Sequence, residues 1–258
     1  MFDSHCHLDF AAFDDDRDAV VARARSRGVT AVHVPGVGPD QWAKAAALQH
    51  AGIGSSVGIH PQWLASLSAA ELEDALASLQ VRAGELGAEA IGEVGLDAFT
   101  AKKGPDVDAQ VAVLDAHIEV AKALELPIVL HVLGPHGKAL ATLKRHAPLP
   151  AGGVLHSYSG PAEMVAEYSR LGLFFGFAAA VTRANARRPL EAARAVPAER
   201  LLIETDGPDQ ALAGHERGSP EDLPAICAAV ARARGEEPAT VAALTEANAR
   251  RLFRRPSG

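Results

Sequence analysis

The chain has 258 residues, of which 48% are hydrophobic and 22% charged, and its formal net charge at pH 7 is -7. These values are typical of an ordinary globular protein, and the negative charge argues against a broadly basic surface that coats nucleic acid. The two cysteines, Cys6 and Cys227, lie too far apart in sequence to predict a disulfide framework. We therefore expect a cytoplasmic protein, monomeric by default, with no membrane association.

Short apolar runs alternate along the chain with longer segments of helical period. Strands that are apolar on both faces and alternate with helices predict a parallel sheet, and eight such pairs predict an α/β fold of the closed (β/α)8 TIM-barrel type. We expect one domain over residues 1–258. An open doubly wound sheet is the alternative, although the chain lacks its glycine-rich dinucleotide loop. The predicted strands are 2–7, 30–36, 54–60, 89–97, 127–133, 153–159, 173–179 and 201–206, and the helical segments include 16–28, 71–86, 109–125 and 160–172.

Titratable side chains recur at the C-terminal ends of these strands, where barrel enzymes keep their active sites. Burying so many titratable groups without partners would cost a few kcal/mol for each. A metal site explains why histidines and carboxylates occupy the same structural position on separate strands. The residues are His5, His7, His60, Glu93, Asp97, His131, His156, Glu204 and Asp206.

The residue types and their spacing suit a centre of two divalent cations. Side chains alternate along a strand, so His5 and His7 point to the same side and Cys6 to the other. A carboxylate such as Glu93 can bridge two cations about 3.5–4 Å apart. We expect His131 and His156, which end two further strands, to complete the shell of the second cation.

Asp206 is predicted to bind the first cation and to deprotonate the attacking water, so that Asp206 and Glu93 are the expected catalytic residues. Imidazole ligands favour zinc, and the mixed set also admits manganese or magnesium.

Three further side chains are candidates for contact with substrate. His60 is interpreted either as a residue that binds a substrate oxygen or as a residue that contacts a metal ligand. Ser157 and Ser159 follow His156 and could donate to a substrate oxyanion. His136 begins a predicted helix and is expected at the surface.

With these residues in place, the sequence resembles the TatD family of metal-dependent hydrolases, and within it the YjjV-type branch. The resemblance implies a (β/α)8 barrel with two divalent cations, one held by His5, His7, Glu93 and Asp206 and the other by Glu93, His131 and His156. It also implies hydrolysis of phosphodiester bonds, often as a deoxyribonuclease, with 3′–5′ exonuclease action on single-stranded DNA. The matching segments are DSHCHLDF, VGIHP, AIGEVGLD, LPIVLH, VLHSYSG, LLIETDGPD and EANARRLF, in family order from 3 to 253.

The segments around the metal ligands depart from the family pattern where substrate would bind. His131 is followed by Val132-Leu133-Gly134, where many members carry a nearby arginine or similar polar group. Gln62 replaces a second histidine, and the stretch 217–220 differs from the usual Arg-x-Asn-Glu-Pro. The leading hypothesis is a two-metal deoxyribonuclease that binds DNA or another phosphodiester in the mouth of the barrel. The alternative is an amidohydrolase-like enzyme that acts on a small amide, lactone or ester.

Overall fold

The computed structural model describes residues 1–50 and 52–253 of the chain. Its eight β-strands are all parallel, and they lie in the sheet in the order in which they occur along the chain. The strands are β1 (Phe2–Asp3), β2 (Ala31–Val34), β3 (Ile53–Val57), β4 (Ala90–Asp97), β5 (Ile128–Leu133), β6 (Gly153–Leu155), β7 (Leu173–Phe177) and β8 (Leu201–Ile203).

Residues directly after β1 and β8 close this sheet on itself. The backbone N–H of Ser4 donates to the carbonyl of Ile203 at 3.2 Å, and the N–H of Asp206 donates to the carbonyl of His5 at 2.8 Å. The first and last strands are therefore neighbours. Eight parallel strands with helices between them confirm the predicted (β/α)8 barrel.

Helices connect the strands on the outside of the barrel. Each helical segment named from the sequence overlaps one of them, although the segment 160–172 forms only a short helix preceded by a 3₁₀ turn. Within the described residues the α-helices are α1 (Arg17–Ser26), α2 (Trp42–Ala47), α3 (Pro61–Leu64), α4 (Ala69–Glu85), α5 (Val107–Ala123), α6 (His136–His146), α7 (Val165–Arg170), α8 (Arg187–Ala195), α9 (Leu223–Arg234) and α10 (Pro238–Leu252). None of these helices combines the length and the apolar character that crossing a membrane requires.

Local sequence signals fix several helix boundaries. Ser68 begins α4 with a capping box: its hydroxyl accepts from the N–H of Glu71, whose carboxylate accepts from the N–H of Ser68. Gly235 ends α9 in the left-handed conformation, with φ of 69°, which glycine adopts without steric cost. These caps satisfy backbone groups that a helix leaves without partners at its ends.

The two ends of the barrel differ in chemistry. At the N-terminal ends of the strands, apolar side chains form a buried cluster that α10 covers. At the C-terminal ends the buried side chains are largely polar or charged. The N-terminal end therefore stabilises the barrel through burial of apolar surface, and the C-terminal end holds the candidate functional residues. The apolar cluster comprises Phe2, Ala31, Ala90, Val129, Val154, Phe174, Leu202, Ala249, Leu252 and Phe253.

Several strands end earlier than the sequence predicted. β1 ends at Asp3 rather than at residue 7, β6 at Leu155 rather than 159, and β8 at Ile203 rather than 206. Ser157 and Asp206 have φ of 42° and 56°, a left-handed conformation that no continuous strand contains. The predicted site residues after these strands therefore lie on turns at the mouth of the barrel.

Candidate metal centre

The six side chains predicted to bind metal converge at the C-terminal mouth of the barrel. His131 keeps 15% of its side chain exposed, and the other five residues are buried. Because they come from different parts of the chain, only the closed barrel brings them together. Glu93 and His131 belong to β4 and β5, His156 and Asp206 follow β6 and β8, and His5 and His7 lie in the turn after β1.

Glu93 lies at the middle of this group, and its two oxygens face different partners. Oε2 lies 3.2 Å from Nε2 of His5 and 3.6 Å from Nε2 of His7. Oε1 lies 2.9 Å from Nε2 of His156 and 3.2 Å from Nδ1 of His131. Asp206 joins the first set, with Oδ1 3.7 Å from Nε2 of His5. The carboxylate of Glu93 thus lies between two sets of nitrogen ligands.

Buried polar atoms without hydrogen-bond partners show that this group fits cations. Both ring nitrogens of His5, Nδ1 of His7 and Oε2 of Glu93 are buried, and none of them has a hydrogen bond. Buried polar atoms are nearly always satisfied, and each one left unsatisfied costs about 1–3 kcal/mol. Ligand atoms of His5, His7 and Asp206, and those of His5, Glu93 and His156, lie within 4.8 Å of one another in each set. A cation bound between Nε2 of His5 and Oε2 of Glu93, which lie 3.2 Å apart, would satisfy both of these atoms.

The protonation states of His5, His7 and Glu93 agree with metal binding. Burial lowers the pKa of His7 to about 4 and that of His5 well below its ordinary value. Burial alone would raise the pKa of Glu93, but His156, His60 and His5 outweigh it and hold the carboxyl pKa well below its usual range. Neutral imidazoles and an ionised carboxylate are the forms in which these side chains bind metal.

Glycine makes room for the backbone that carries Glu93. A side chain on Gly92, whose φ is 128°, would place its Cβ 2.4 Å from the carbonyl oxygen of Val129. The N–H of Glu93 donates to the carbonyl of Gly36 at 2.7 Å, which fixes the direction of the carboxylate. The central ligand therefore depends on close approach of β4 to its neighbours.

The sequence assigned no role to Glu204, yet it orients a candidate ligand. Its carboxylate is fully buried and lies 3.6 Å from Nδ1 of His156, so that Nε2 of this ring faces Glu93. Ser4 donates its hydroxyl proton to Glu204 at 2.9 Å, and the N–H of Ser157 donates to it as well. A Cβ on Gly176 would lie 2.1 Å from Oε2 of Glu204, so glycine there leaves the space that the carboxylate fills.

Asp97 has the same relation to His131. Its Oδ2 lies 3.5 Å from Nε2 of His131, so Nδ1 of the ring faces Glu93. Burial alone would raise the pKa of Asp97, but hydrogen bonds from His131, Thr100 and Phe99 outweigh it and hold the pKa far below its ordinary value. A negative carboxylate behind an imidazole fixes the ring and raises its basicity toward a metal.

His60 also contacts Glu93, but as a hydrogen-bond donor rather than as a candidate metal ligand. The N–H of Gln62 donates to Nδ1 of His60 at 3.2 Å, so this nitrogen carries no proton. Burial lowers the pKa of His60, and the neutral ring therefore has its N–H at Nε2, 3.3 Å from Oε1 of Glu93. Although His60 lies within ligand distance of Glu93 and His131, it presents a hydrogen-bond donor to the centre.

Ser157 and Ser159, expected to face substrate, do not line the cavity beside the metal centre. The hydroxyl of Ser157 accepts from the side chain of Gln210 at 2.6 Å, and that of Ser159 lies 3.4 Å from Nε2 of His136. The surface position expected for His136 is wrong, because the residue is buried against Tyr158 and Tyr168. Both hydroxyls therefore contact residues, Gln210 and His136, that do not line this cavity.

The cavity beside the centre has a volume of about 90 Å³. Two aromatic residues that the sequence did not single out, Phe10 and Trp63, form part of its wall. Their signal in the sequence was weak, because an isolated aromatic residue in a loop is not distinguished from a packing residue. The remaining lining residues are His7, Val37, His60, Gln62, Glu93, His131, His156, Asp206 and Asp209.

A (β/α)8 barrel with histidines and carboxylates gathered at its C-terminal mouth defines the class of metal-dependent barrel hydrolases. The family model described as TatD related DNase matches residues 2–254, and the chain belongs to this family. The resemblance stated from the sequence motifs is thereby confirmed.

Two curated relatives extend over nearly the whole chain. The uncharacterized metal-dependent hydrolase YjjV of Escherichia coli (strain K12) is 32% identical over 260 residues, which cover 99% of this chain and 98% of YjjV. The 3′–5′ ssDNA/RNA exonuclease TatD of Klebsiella pneumoniae (strain 342) is 37% identical over 264 residues, which cover 98% of this chain and 97% of that relative.

The solved structures agree with this assignment. The crystal structure of YjjV from Escherichia coli K12 superimposes with a TM-score of 0.88 at 32% identity, covering 99% of this chain and 98% of the other. The phosphotriesterase homology protein from Escherichia coli, at 17% identity and a TM-score of 0.67, shares the fold. Both proteins therefore share the barrel with this chain, and of the two YjjV has the higher TM-score and sequence identity.

Proposed function

We propose that this protein is a two-cation nuclease that hydrolyses phosphodiester bonds and removes nucleotides from the 3′ end of single strands. One observation carries the proposal: the oxygens of Glu93 face two separate sets of histidines, as a carboxylate that bridges two cations requires. The 37% identity to a 3′–5′ ssDNA/RNA exonuclease supports the choice of substrate. The relatives give the small amide, lactone or ester substrate no comparable support.

In this proposal His5, His7 and Asp206 would hold one cation, His131 and His156 would hold the other, and Glu93 would contribute to both. When bound, the cations lower the pKa of water and neutralise charge on the phosphoryl oxygens. Zinc is the cation that the four imidazole nitrogens favour, and manganese and magnesium are the alternatives.

The chain's own residues position the reacting groups. The side chain of Gln210 donates to Oδ2 of Asp206 at 2.7 Å, which holds the carboxylate while Oδ1 faces His5 and His7. Asp206 accepts the proton of the attacking water as general base. His60 donates from Nε2 to a phosphoryl oxygen, because its Nδ1 is already engaged with the backbone.

We further propose that residues 1–258 act as a single domain and that the protein is a cytoplasmic monomer. The family match from residue 2 to residue 254 supports a single domain. The two cysteines are both free, which supports a reducing compartment.

The test compares wild type with Asp206→Asn on single-stranded oligonucleotides labelled at the 3′ or the 5′ end, under zinc, manganese or magnesium. We expect the substitution to lower kcat by about 10²- to 10⁴-fold, because general acid–base catalysis contributes roughly this factor. Metal content is measured on the same samples and should fall by less than activity. Asp18→Asn, on the exposed face of α1, is the matched control.

The same preparations are assayed on bis(p-nitrophenyl) phosphate, a lactone, an amide and a carboxylic ester. The proposal fails if no phosphodiester is cleaved with any of the three metals while a lactone or an amide is hydrolysed. It also fails in its mechanism if Asp206→Asn cleaves oligonucleotides at the wild-type rate.

A further inference from the structure

The cavity beside the metal centre is too small to enclose a nucleotide. Its volume of about 90 Å³ is far below the roughly 300–1,000 Å³ of pockets that surround a drug-sized ligand. A phosphodiester group fits beside the ligands, whereas the sugars and bases of a strand must lie outside. Any recognition of a base therefore takes place at the rim of this cavity.

Aromatic rings connect the metal centre to the rim. The ring of Phe10 stacks on His7, with centroids 4.5 Å apart and planes 22° apart. The indole of Trp63 follows, 6.0 Å from the Phe10 ring and tilted by 39°. Phe10 and Trp63 are both partly exposed, so the series of rings begins at a candidate metal ligand and ends at the solvent.

Two contacts hold the indole of Trp63 in place. Its Nε1 donates to Oδ1 of Asp40 at 3.2 Å. A Cβ on Gly38 would lie only 2.2 Å from the indole Cδ1, so the backbone there packs directly against the ring. A ring held before the ligand arrives loses little conformational entropy when a base stacks on it.

Charges of both signs lie near Trp63. Trp63 borders an outer groove of about 490 Å³, whose acidic side chains, Asp40, Glu71 and Asp74, repel phosphates. The turn Lys102–Gly104 approaches Ala65, directly after α3, because a Cβ on Gly104 would lie 3.0 Å from Cβ of Ala65. This turn carries the exposed Lys102 and Lys103.

We propose that Trp63, supported by Phe10, is a stacking surface for the base of one of the two nucleotides that flank the scissile phosphodiester. Aromatic side chains beside a positively charged path are the means by which proteins bind single strands without sequence preference. The inference rests on the proposed nuclease function. It adds to that function the residue that selects a nucleotide over a diester without a base.

The experiment compares wild type with Trp63→Ala, Trp63→Phe and Trp63→Leu on three single strands. One strand is intact, and each of the others has a tetrahydrofuran abasic residue in place of one of the two nucleotides flanking the bond. We expect Trp63→Ala to raise KM on the intact strand by about 5- to 150-fold, the usual effect of losing one stacked base. On one of the abasic strands the same substitution should raise KM less than about three-fold.

Trp63→Phe retains a ring and should recover most of the affinity, whereas Trp63→Leu retains apolar bulk without a π face and should not. Val81→Ala, at an exposed apolar residue of α4, is the control. Binding is followed independently of turnover through indole fluorescence, since the chain has two tryptophans and Trp42 is buried. Quenching by an intact strand should disappear in Trp63→Phe.

An equal increase of KM on all three strands, or no increase on any, overturns the role of Trp63 while the nuclease function stands. Failure of the wild-type enzyme to cleave any of the strands overturns both proposals together. These two outcomes are distinguished by the wild-type measurement alone.

Discussion

Glu204 shows how one buried side chain can decide what its neighbour does. Its carboxylate faces Nδ1 of His156, which leaves Nε2 of that ring directed at Glu93. An amide would offer the ring a weaker acceptor and no negative charge. Partners of this kind typically contribute 10- to 100-fold to metal affinity.

We therefore expect Glu204→Gln to weaken binding of the cation assigned to His131 and His156 by about 10- to 100-fold. The measurement is titration of the metal-free protein with zinc by calorimetry. Glu85→Gln, at an exposed residue near the end of α4, should bind zinc as the wild type does. Equal affinity in Glu204→Gln and wild type would show that the ring of His156 is oriented by other contacts.

The candidate ligands were predictable from the sequence, but the side chains behind them were not. His131 and Glu93 occupy strand positions that an apolar run would not otherwise contain. Asp97 is the last residue of β4 and Glu204 follows β8, yet nothing in the sequence states which nitrogen of which imidazole they face. That information resides in contacts between strands that are distant along the chain.

At the scale of the elements, all eight strands and their order follow from the alternation of apolar runs with helical segments. Their C-terminal ends do not. The predicted strands continue past Leu155 and Ile203, but the backbone leaves the ladder there and turns at Ser157 and Asp206. A one-dimensional pattern does not record a change of φ, so the strand ends nearest the site were the least predictable.

The Lys102–Gly104 turn belongs to this scale as well. If a single strand continues from Trp63 toward this turn, both lysines would lie near its phosphates. In Lys102→Gln combined with Lys103→Gln, we expect the dependence of log affinity on log salt to become shallower by about 0.7 for each lysine. The measurement is fluorescence anisotropy of a labelled oligonucleotide bound to Asp206→Asn over a series of salt concentrations.

Lys122→Gln, on α5 and paired with Glu119, provides the matched control and should leave the slope as it is. A slope that is the same with and without Lys102 and Lys103 would place the strand on another side of the barrel mouth. A lower affinity at unchanged slope would indicate a change of structure in the turn rather than a loss of phosphate contacts.

At the scale of the whole molecule, one buried imidazole links the outer helices to the barrel. His117 of α5 is fully buried, its Nδ1 lies 2.8 Å from the carbonyl oxygen of Val113, and its Nε2 accepts from the N–H of Ile59 at 3.1 Å. Burial lowers the pKa of His117 from 6.5 to about 4. The folded protein therefore contains the neutral ring over a range of pH in which the unfolded chain is protonated.

Stability must consequently fall as the pH decreases from the unfolded pKa toward the folded one, because the unfolded state binds a proton that the folded state does not. For His117 this loss is about 2 kcal/mol between about pH 8 and about pH 5. We expect His117→Gln, measured by urea denaturation in the presence of a chelator, to show a weaker pH dependence than wild type by this amount. Parallel curves for the two proteins would contradict the assignment, since the remaining histidines titrate in both.

The absence of a side chain at Gly176 has a consequence for any survey in which every position is varied and selected for activity. The carboxylate of Glu204 fills the space that even an alanine Cβ would need, so a substitution at Gly176 displaces a group that touches no substrate. A side chain on Gly92 would instead collide with Val129 and displace the backbone that carries Glu93. In a map of mutational tolerance, these two glycines should be as intolerant as the candidate ligands. Such a survey would then assign to the active centre a residue that has no functional group, because its missing side chain leaves the space that a neighbouring carboxylate occupies.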